Sequence, residues 1–189
     1  MILKNNKFSS EIELHHFSMV DKKDVSLNYL KWLNDEEISK MLALPNRSLK
    51  DQSFINESFK RFTQESCMGF FIKKIDDNLF IGTCKIDKID LVNKSCEIGI
   101  MIGEKKFYGK GISKIVFQIL LDYAFSNLQL NRVWGGCLSS NTAMNKTFQR
   151  LNFRNEGLLK EAILFNNKFI DTKLYAITKK EYNLLNHKI

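Results

Sequence analysis

The chain has 189 residues, 44% of them hydrophobic and 12% aromatic, which is enough for one well-buried domain and short for two. Its 29 lysines and arginines against 21 aspartates and glutamates give a net charge of +8. This charge favours anionic partners but identifies none, because the lysines are scattered. No signal-peptide pattern is present, and no apolar run approaches the ~18 residues that a spanning helix needs. We therefore expect one domain over residues 1–189, cytoplasmic and without membrane attachment.

The cysteines and histidines argue against a disulfide framework and a metal centre. The four cysteines form no C-x-x-C pair, and three lie in apolar, strand-like runs typical of small buried side chains. His15 and His16 are adjacent and His187 lies in the tail, so none has the partner spacing or the carboxylate neighbour of a metal site. We expect reduced thiols and no metal.

The first half of the chain predicts a strand, two helical stretches and an antiparallel meander. Residues 12–20 alternate like a strand, and residues 24–42 have helical periodicity that is interrupted near Asn34. A second amphipathic helix follows, with Ser48 and Asp51 in capping-box spacing. Three apolar strands separated by turn residues come next, at 67–75, 79–89 and 95–102.

The second half predicts a helix, a strand, another helix and a hairpin. Apolar residues from Ile112 to Ala124 recur on one helix face, and residues 132–140 form a strand. Asn141 is a suitable N-cap for a helix over 142–150, and residues 163–178 read as a hairpin around Asn166. This order predicts an α+β fold with a mixed, mostly antiparallel sheet of about seven strands flanked by about four helices.

Two glycines around one lysine, Gly109 and Gly111, stand where the last meander strand passes into a helix, in the stretch GEKKFYGKGIS at 103–113, here called the glycine loop. A P-loop is disfavoured, because five residues separate Gly103 from Gly109 where the motif has four, and Lys110 is followed by Gly111 instead of a hydroxyl residue. A dinucleotide fingerprint is excluded, because Lys114 occupies its third glycine position and the preceding strand is antiparallel. Two interpretations remain: a phosphate-binding helix N-terminus, or an ordinary turn that needs a positive φ.

The residues around these glycines favour the first interpretation. Residues 97–125 resemble the central motif of the GCN5-related N-acetyltransferase (GNAT) superfamily, with its [QR]-x-x-G-x-[GA] loop. Lys106 takes the place of the usual Gln or Arg. Residues 139–157 resemble a second family segment through Asn141, Phe148 and Phe153, and residues 156–177 resemble the branch that includes ribosomal-protein N-terminal and amino-sugar acetyltransferases.

The resemblance implies that acetyl-CoA is the co-substrate. In the family fold the strands carrying Glu97 and Val133 splay apart, pantetheine pairs with the backbone of residues 100–102, and the pyrophosphate meets the glycine loop. The implied cofactor-binding residues are Ile100, Met101, Ile102, Lys106, Gly109, Lys110, Gly111, Ile112, Asn141 and Phe148. For Asn141 the helix cap is the competing interpretation, and one side chain can serve both roles.

The resemblance also implies direct attack by a free amine, without a covalent enzyme intermediate. Glu97 is then the general base, directly or through a water, because alternation puts it on one strand face with Gly99 and Met101. The alternative is a solvated strand glutamate. Many relatives have a tyrosine acid where Phe148 stands, so Tyr108, a water or the amine itself takes this role, or no protein acid is used.

Several acceptors remain open. Residues 29–42 resemble acetyltransferases of surface-glycan pathways, whose acceptors are nucleotide-linked amino sugars, and a basic surface suits such an anion. Alternatives are a protein N-terminal acetyltransferase and a non-catalytic acyl-CoA-binding module. Arg47 is a candidate for an acceptor phosphate, and Trp32 and Trp134 read as core residues. We expect a small amine acceptor and no nucleic-acid partner, since no RNA-binding string is present; a homo-oligomer stays open.

Overall fold

Nine strands join into one sheet that forms the central layer of the molecule. The computed structural model describes residues 1–5, 7, 9–42, 49–165 and 167–186. The strands are β1 (Ile2–Asn5), β2 (Ser9–His16), β3 (Thr63–Gln64), β4 (Cys67–Lys74), β5 (Leu79–Asp90), β6 (Ser95–Ile102), β7 (Arg132–Leu138), β8 (Arg154–Phe165) and β9 (Lys168–Thr178). Their order is β1-β2-β4-β5-β6-β7-β9-β8, and the short β3 lies beside β4.

Helices cover both faces of this sheet. The α-helices are α1 (Lys22–Asn34), α2 (Glu36–Leu42), α3 (Gln52–Arg61), α4 (Ile112–Asp122), α5 (Thr142–Arg150) and α6 (Lys179–Asn186). Short 3-10 turns occupy Phe17–Met19 and Lys105–Phe107. Asp21 caps α1 by accepting from the Lys23 N–H, and Asp51 caps α3. These caps satisfy backbone donors that have no partner within the helix.

One strand pair in the sheet is parallel, and it decides where the site can form. β6 and β7 run parallel, whereas every other neighbouring pair is antiparallel. A parallel pair needs a crossover connection, and α4 provides it between β6 and β7. The loop that enters α4 therefore lies at the end of β6.

An aromatic core packs α1, α2 and α3 against one face of the sheet. Phe17 stacks on Phe71 of β4 with ring centroids 4.3 Å apart. Tyr29 and Trp32 of α1 join this cluster, as does Met101 of β6. The cluster therefore holds α1 over the end of β6 that precedes the glycine loop.

An aliphatic core packs α4, α5 and α6 against the other face. Val116 and Leu120 are fully buried, as the helical periodicity of this segment predicts. Phe148 of α5 and Tyr182 of α6 belong to the same cluster. The two faces of β6 thus meet different sets of helices.

The predicted α+β class with a mixed, mostly antiparallel sheet is confirmed, but the predicted counts were low. β1, β3 and α6 were not predicted, nor was the first half of β8. The strand predicted over 12–20 ends at His16, because the chain turns at Phe17–Met19. Short strands carry little periodicity of their own and are defined by their neighbours. Ser48 and Asn166, which entered the cap and hairpin predictions, lie outside the described residues.

The four cysteines are free and buried, whereas burial was predicted for only the three in strand-like runs. Burial raises the pKa of the Cys96 thiol to about 12. The prediction that His15 has no carboxylate neighbour was wrong, because its Nε2 lies 2.9 Å from Glu13 Oε2. Across the described ranges, no cluster of three or more His, Cys, Asp or Glu side chains could hold a metal ion. No helix in those ranges combines the length and apolar character needed to cross a membrane.

Candidate active site

A gap opens in the sheet where β6 and β7 separate. They pair in only three rows: Ser95 with Arg132, Cys96 with Val133, and Glu97 with Trp134. Beyond the Glu97–Trp134 row, β6 continues against β5 and β7 continues against β9, without pairing to each other. One backbone edge of residues 98–102 therefore faces the gap without a strand partner. This is the splay that the resemblance implies.

The glycine loop ends beside this gap at the N-terminus of α4. Gly109 has φ +73° and Gly111, the N-cap of α4, has φ +77°. Residues other than glycine rarely adopt this backbone conformation. A β-carbon placed on either glycine would meet nothing within 4 Å. No side chain caps α4, so its first N–H groups are open to an anion. The loop therefore offers open space and unpaired backbone donors to an anion.

Lysines and buried apolar residues border the loop. Lys106 and Lys110 are exposed, and both ammonium groups lie over the buried Phe107 ring, at 5.0 and 5.3 Å. Ile112 is buried and fixes the start of α4. A cavity of about 310 Å³ touches these four residues, beside β2 rather than beside Glu97. The two lysines can therefore add positive charge near an anion at the loop.

Gly103 is present for a different reason from the other two glycines. A β-carbon there would lie 2.1 Å from Trp32 Cδ2. The Trp32 indole is buried, as predicted, and its Nε1–H donates to Glu104 Oε1 at 3.0 Å. Lys105 in turn forms ion pairs with Asp35 and with Glu37. Side chains of α1 and α2 thus hold the beginning of the loop.

The predicted alternation along β6 separates its two faces. Met101 packs in the α1–α3 cluster, whereas Ile100 and Ile102 pack against the α4 cluster. Glu97 lies on the same side as Met101, and its side chain is 19% exposed. Residues 100–102 would therefore contact a cofactor through their backbone edge.

Charged side chains surround Glu97. Lys88 Nζ lies 2.8 Å from its Oε2, and Lys85 Nζ lies 4.0 Å from its Oε1. Lys85 also donates to Asp87 Oδ2 at 2.7 Å, and Arg61 of α3 donates to the same oxygen. Burial opposes the charge on Asp87, but the hydrogen bond and charge of Lys85 hold the pKa of this carboxyl at about 2. Asp87 is therefore an anion that binds two of the cations beside Glu97.

A bulge in β5 directs Lys88 into this group. The register with β6 shifts between Asp87 and Asp90, and Lys88 has φ +51°. Asp87 Oδ1 accepts from the Lys88 backbone N–H at 2.8 Å. Bulges re-aim side chains, and here Lys88 Nζ lies 4.8 Å from the centroid of the Trp134 ring. Lys88, Glu97 and Trp134 thus meet at the apex of the gap.

The sequence did not single out Arg61, Lys85, Asp87 or Lys88. Their positions depend on the β5–β6 register and on the packing of α3, neither of which has a local sequence signal. Trp134, expected in the core, is only half-buried. Arg47, the candidate for an acceptor phosphate, lies outside the described residues.

Tyr108 lies at the loop end of β6. Tyr108 is 47% exposed, and its hydroxyl donates to the Ile102 carbonyl at 3.1 Å. Partial burial raises its pKa. Ile102 is five residues from Glu97, about 16 Å along a strand. Proton donation by Tyr108 stays a prediction.

Phe148 lies in α5, and Asn141 lies directly before it. Phe148 is buried and stacks on Tyr175, with ring centroids 4.8 Å apart. A β-carbon on Gly135 of β7 would lie 2.9 Å from the tip of this ring, so Phe148 fills the space beneath β7. Asn141 caps α5 by accepting from the Met144 N–H at 3.0 Å. The predicted cap is confirmed, and contact of Asn141 with pantetheine stays a prediction.

The comparisons with known proteins agree on one family. A family model described as an acetyltransferase (GNAT) domain matches residues 14–154. An uncharacterized N-acetyltransferase, p20 of Bacillus licheniformis, is 34% identical over 119 residues, which are 63% of this chain and 65% of that protein. The chain therefore spans slightly less than two thirds of that relative's length.

The names of more distant relatives state different acceptors or none. The ribosomal-protein-serine acetyltransferase of Escherichia coli is 28% identical, over 80% of this chain and 76% of that protein. Acetyltransferase PseH of Campylobacter jejuni is 25% identical, over 75% of this chain and 84% of that protein. The spermidine N-acetyltransferase of Vibrio cholerae, solved with CoA and spermine, matches the fold with a TM-score of 0.80 at 20% identity, over 92% of this chain and 99% of that one.

Proposed function

Because the chain belongs to the GNAT acetyltransferase family, we propose that it transfers the acetyl group of acetyl-CoA to a primary amine by direct attack. The observation that carries the proposal is the gap between β6 and β7, which opens at Glu97 and lies beside the glycine loop. A gap with a free strand edge can receive an extended pantetheine arm, and an open helix N-terminus can receive its pyrophosphate.

In this proposal the cofactor-binding residues act mainly through their backbone. Gly109, Gly111 and Ile112 present N–H groups to the pyrophosphate, and Lys106 and Lys110 add charge. The edge of residues 100–102 pairs with pantetheine, and a backbone N–H there polarises the thioester carbonyl. Asn141 and Phe148 border the arm from α5.

Glu97 is the proposed general base, directly or through a water. An acceptor amine is protonated near neutral pH and cannot attack until it loses a proton. Glu97 stands at the apex of the gap, where the amine and the thioester must meet. Tyr108 stays the proposed acid for the departing thiolate. Tyr108→Phe is then expected to lower kcat while keeping the thermal shift with acetyl-CoA, and unchanged turnover would remove Tyr108 from the mechanism.

The proposed acceptor is a nucleotide-linked amino sugar. Three cations, Arg61, Lys85 and Lys88, stand against two carboxylates, Asp87 and Glu97, so the described surface beside the base is positive. Such a surface attracts an anionic acceptor and repels a polyamine. A protein N-terminus is the alternative acceptor; the name of the Escherichia coli relative states a serine of a ribosomal protein as its acceptor. A non-catalytic acyl-CoA-binding module is the second alternative.

A turnover screen tests these alternatives. The chain is incubated with acetyl-CoA and one acceptor at a time, and free CoA thiol is measured. We expect turnover with nucleotide-linked amino sugars and none with spermidine. Turnover with N-terminal peptides alone would select the alternative acceptor. A thermal shift with acetyl-CoA and no turnover with any amine would support the non-catalytic module.

We also propose that the chain self-associates and works in the cytoplasm. β8 is an edge strand, and the β8–β9 hairpin exposes Leu158, Leu159, Leu164 and Phe169. Exposed apolar side chains on an edge strand suit pairing with a second copy. Sedimentation velocity is expected to find an oligomer that Phe169→Lys weakens, and a monomer at all concentrations would contradict this. The four buried free thiols suit a reducing compartment.

A further inference from the structure

The ammonium group of Lys88 contacts an oxygen of Glu97 that solvent does not reach. Glu97 Oε2 is buried and makes no hydrogen bond within the described part of the chain. Lys88 Nζ lies 2.8 Å from it, as an ion pair without hydrogen-bonding orientation. An external amine can therefore reach Oε2 only after Lys88 Nζ moves away.

A second contact makes this position suitable for any amine. Lys88 Nζ lies 4.8 Å from the centroid of the Trp134 ring, so the ammonium is held between a carboxylate and an aromatic face. Carboxylates and aromatic faces both attract ammonium groups. Glu97 and Trp134 form the last paired row before the gap, which is where the thioester is proposed to lie.

Lys85, the other lysine near Glu97, is held differently. Its Nζ donates to the buried Asp87 at 2.7 Å and is 4.0 Å from Glu97. The Lys85 side chain is 29% exposed, whereas that of Lys88 is 62% exposed. Lys88 therefore has both the contact with the proposed base and the freedom to turn into the gap.

We propose that Lys88 occupies the position of the acceptor amine when no acceptor is bound, and that it is acetylated there in cis by acetyl-CoA. This inference rests on the proposed function. The Lys88 ammonium gives one proton to Glu97, and its nitrogen then bonds to the thioester carbonyl carbon. The C–S bond breaks, CoA leaves as the thiolate, and the second proton of the nitrogen goes to that thiolate. The products are acetyl-Lys88 and CoA thiol, and Glu97 returns its proton to water.

Acetylation would also change the charge beside the base. Acetyl-Lys88 is neutral, so it can no longer form the ion pair with Glu97. The site modifies itself only while the acceptor is absent, since a bound acceptor amine takes the place of Lys88.

Peptide mass spectrometry of the full chain tests the proposal, with acetyl-CoA and without acceptor. Lys4 is the matched control, because it is 60% exposed and pairs with Glu13, itself 20% exposed, at 3.7 Å. We expect Lys88 to be acetylated about 10² times faster than Lys4, the size of a general-base contribution. Glu97→Gln should remove this excess and leave Lys4 unchanged. The rate per molecule should not depend on protein concentration.

Equal rates at Lys88 and Lys4 would overturn the inference, as would an unchanged Lys88 rate in Glu97→Gln. A second variant keeps the test independent of the modification. Lys88→Met retains the side-chain length without the amine. At high ionic strength, where the attraction of the Lys88 charge for an anionic acceptor is screened, this variant is expected to lower the KM for the acceptor because a competing amine is gone. If Lys88 is not modified but acceptor turnover occurs, the inference fails and the proposed function stands. If Lys88 is modified but no amino sugar reacts, only the proposed acceptor fails.

Discussion

The indole of Trp32 lies directly against the backbone of Gly103, where a β-carbon would be 2.1 Å from Trp32 Cδ2. This contact joins α1 to the residue that begins the glycine loop. The hydrogen bond from Trp32 to Glu104 reinforces it across 72 positions of sequence. Helix α1 is therefore packed onto the glycine loop.

Gly103→Ala is expected to destabilise the protein by about 1–3 kcal/mol, because the added methyl group would overpack against a buried indole. Urea unfolding measures the change. Gly157→Ala is the matched control, since a β-carbon there meets nothing within 4 Å, and it should change stability much less. Equal effects of the two substitutions would mean that the Trp32 contact is not tight.

Gly111→Asp is expected to abolish the rise in melting temperature expected with acetyl-CoA, because a carboxylate would stand where the pyrophosphate is proposed to bind. Aspartate tolerates a positive φ better than most residues, so the variant should fold. Gly111→Asn has the same size without the charge and tolerates a positive φ, so it should retain part of the shift. Lys110→Ala should do less than either, because the backbone donors remain. A full shift in a folded Gly111→Asp protein would contradict the loop assignment.

Glu97→Gln is expected to lower turnover at pH 7 by about 10² to 10⁴, because the amide keeps the shape but accepts no proton. Activity should recover partly at high pH, where the acceptor deprotonates unaided. The thermal shift with acetyl-CoA should remain, which separates loss of catalysis from loss of binding. Full activity at pH 7 would place the base elsewhere.

Asp87→Asn is expected to cost about 2 kcal/mol of stability at pH 7, because each pKa unit corresponds to about 1.4 kcal/mol. The folded pKa of Asp87 is about 2, below its ordinary value of 3.8. A lowered pKa stabilises the fold above the ordinary value, and this stability is lost as the pH falls toward 2. The difference between wild type and variant should therefore be large at pH 7 and shrink below pH 4. A stability difference that does not change with pH would show that the ionised Asp87 carboxylate is not the source of the stabilisation.

The local features of the chain could be predicted from its sequence. Gly109 and Gly111 adopt the positive φ that a turn before a helix requires, α4 buries the face that its periodicity marks, and Asn141 caps α5. Each of these depends on residues a few positions apart. Backbone conformation and side-chain periodicity are properties of a short segment, so the segment carries the signal.

The contacts that define the site were decided by the tertiary structure. Gly103 lies in the same short stretch as the other two glycines, yet its lack of a side chain leaves room for the indole of Trp32, which is 71 residues away. Lys88, Glu97 and Trp134 meet only because a bulge shifts the β5–β6 register and because β6 and β7 pair in parallel up to that row. Strand register is set by pairing across the whole sheet, and a shift of one residue would turn each of these side chains to the opposite face. No short segment contains that information, which is why the charged group around the proposed base emerged only from the fold.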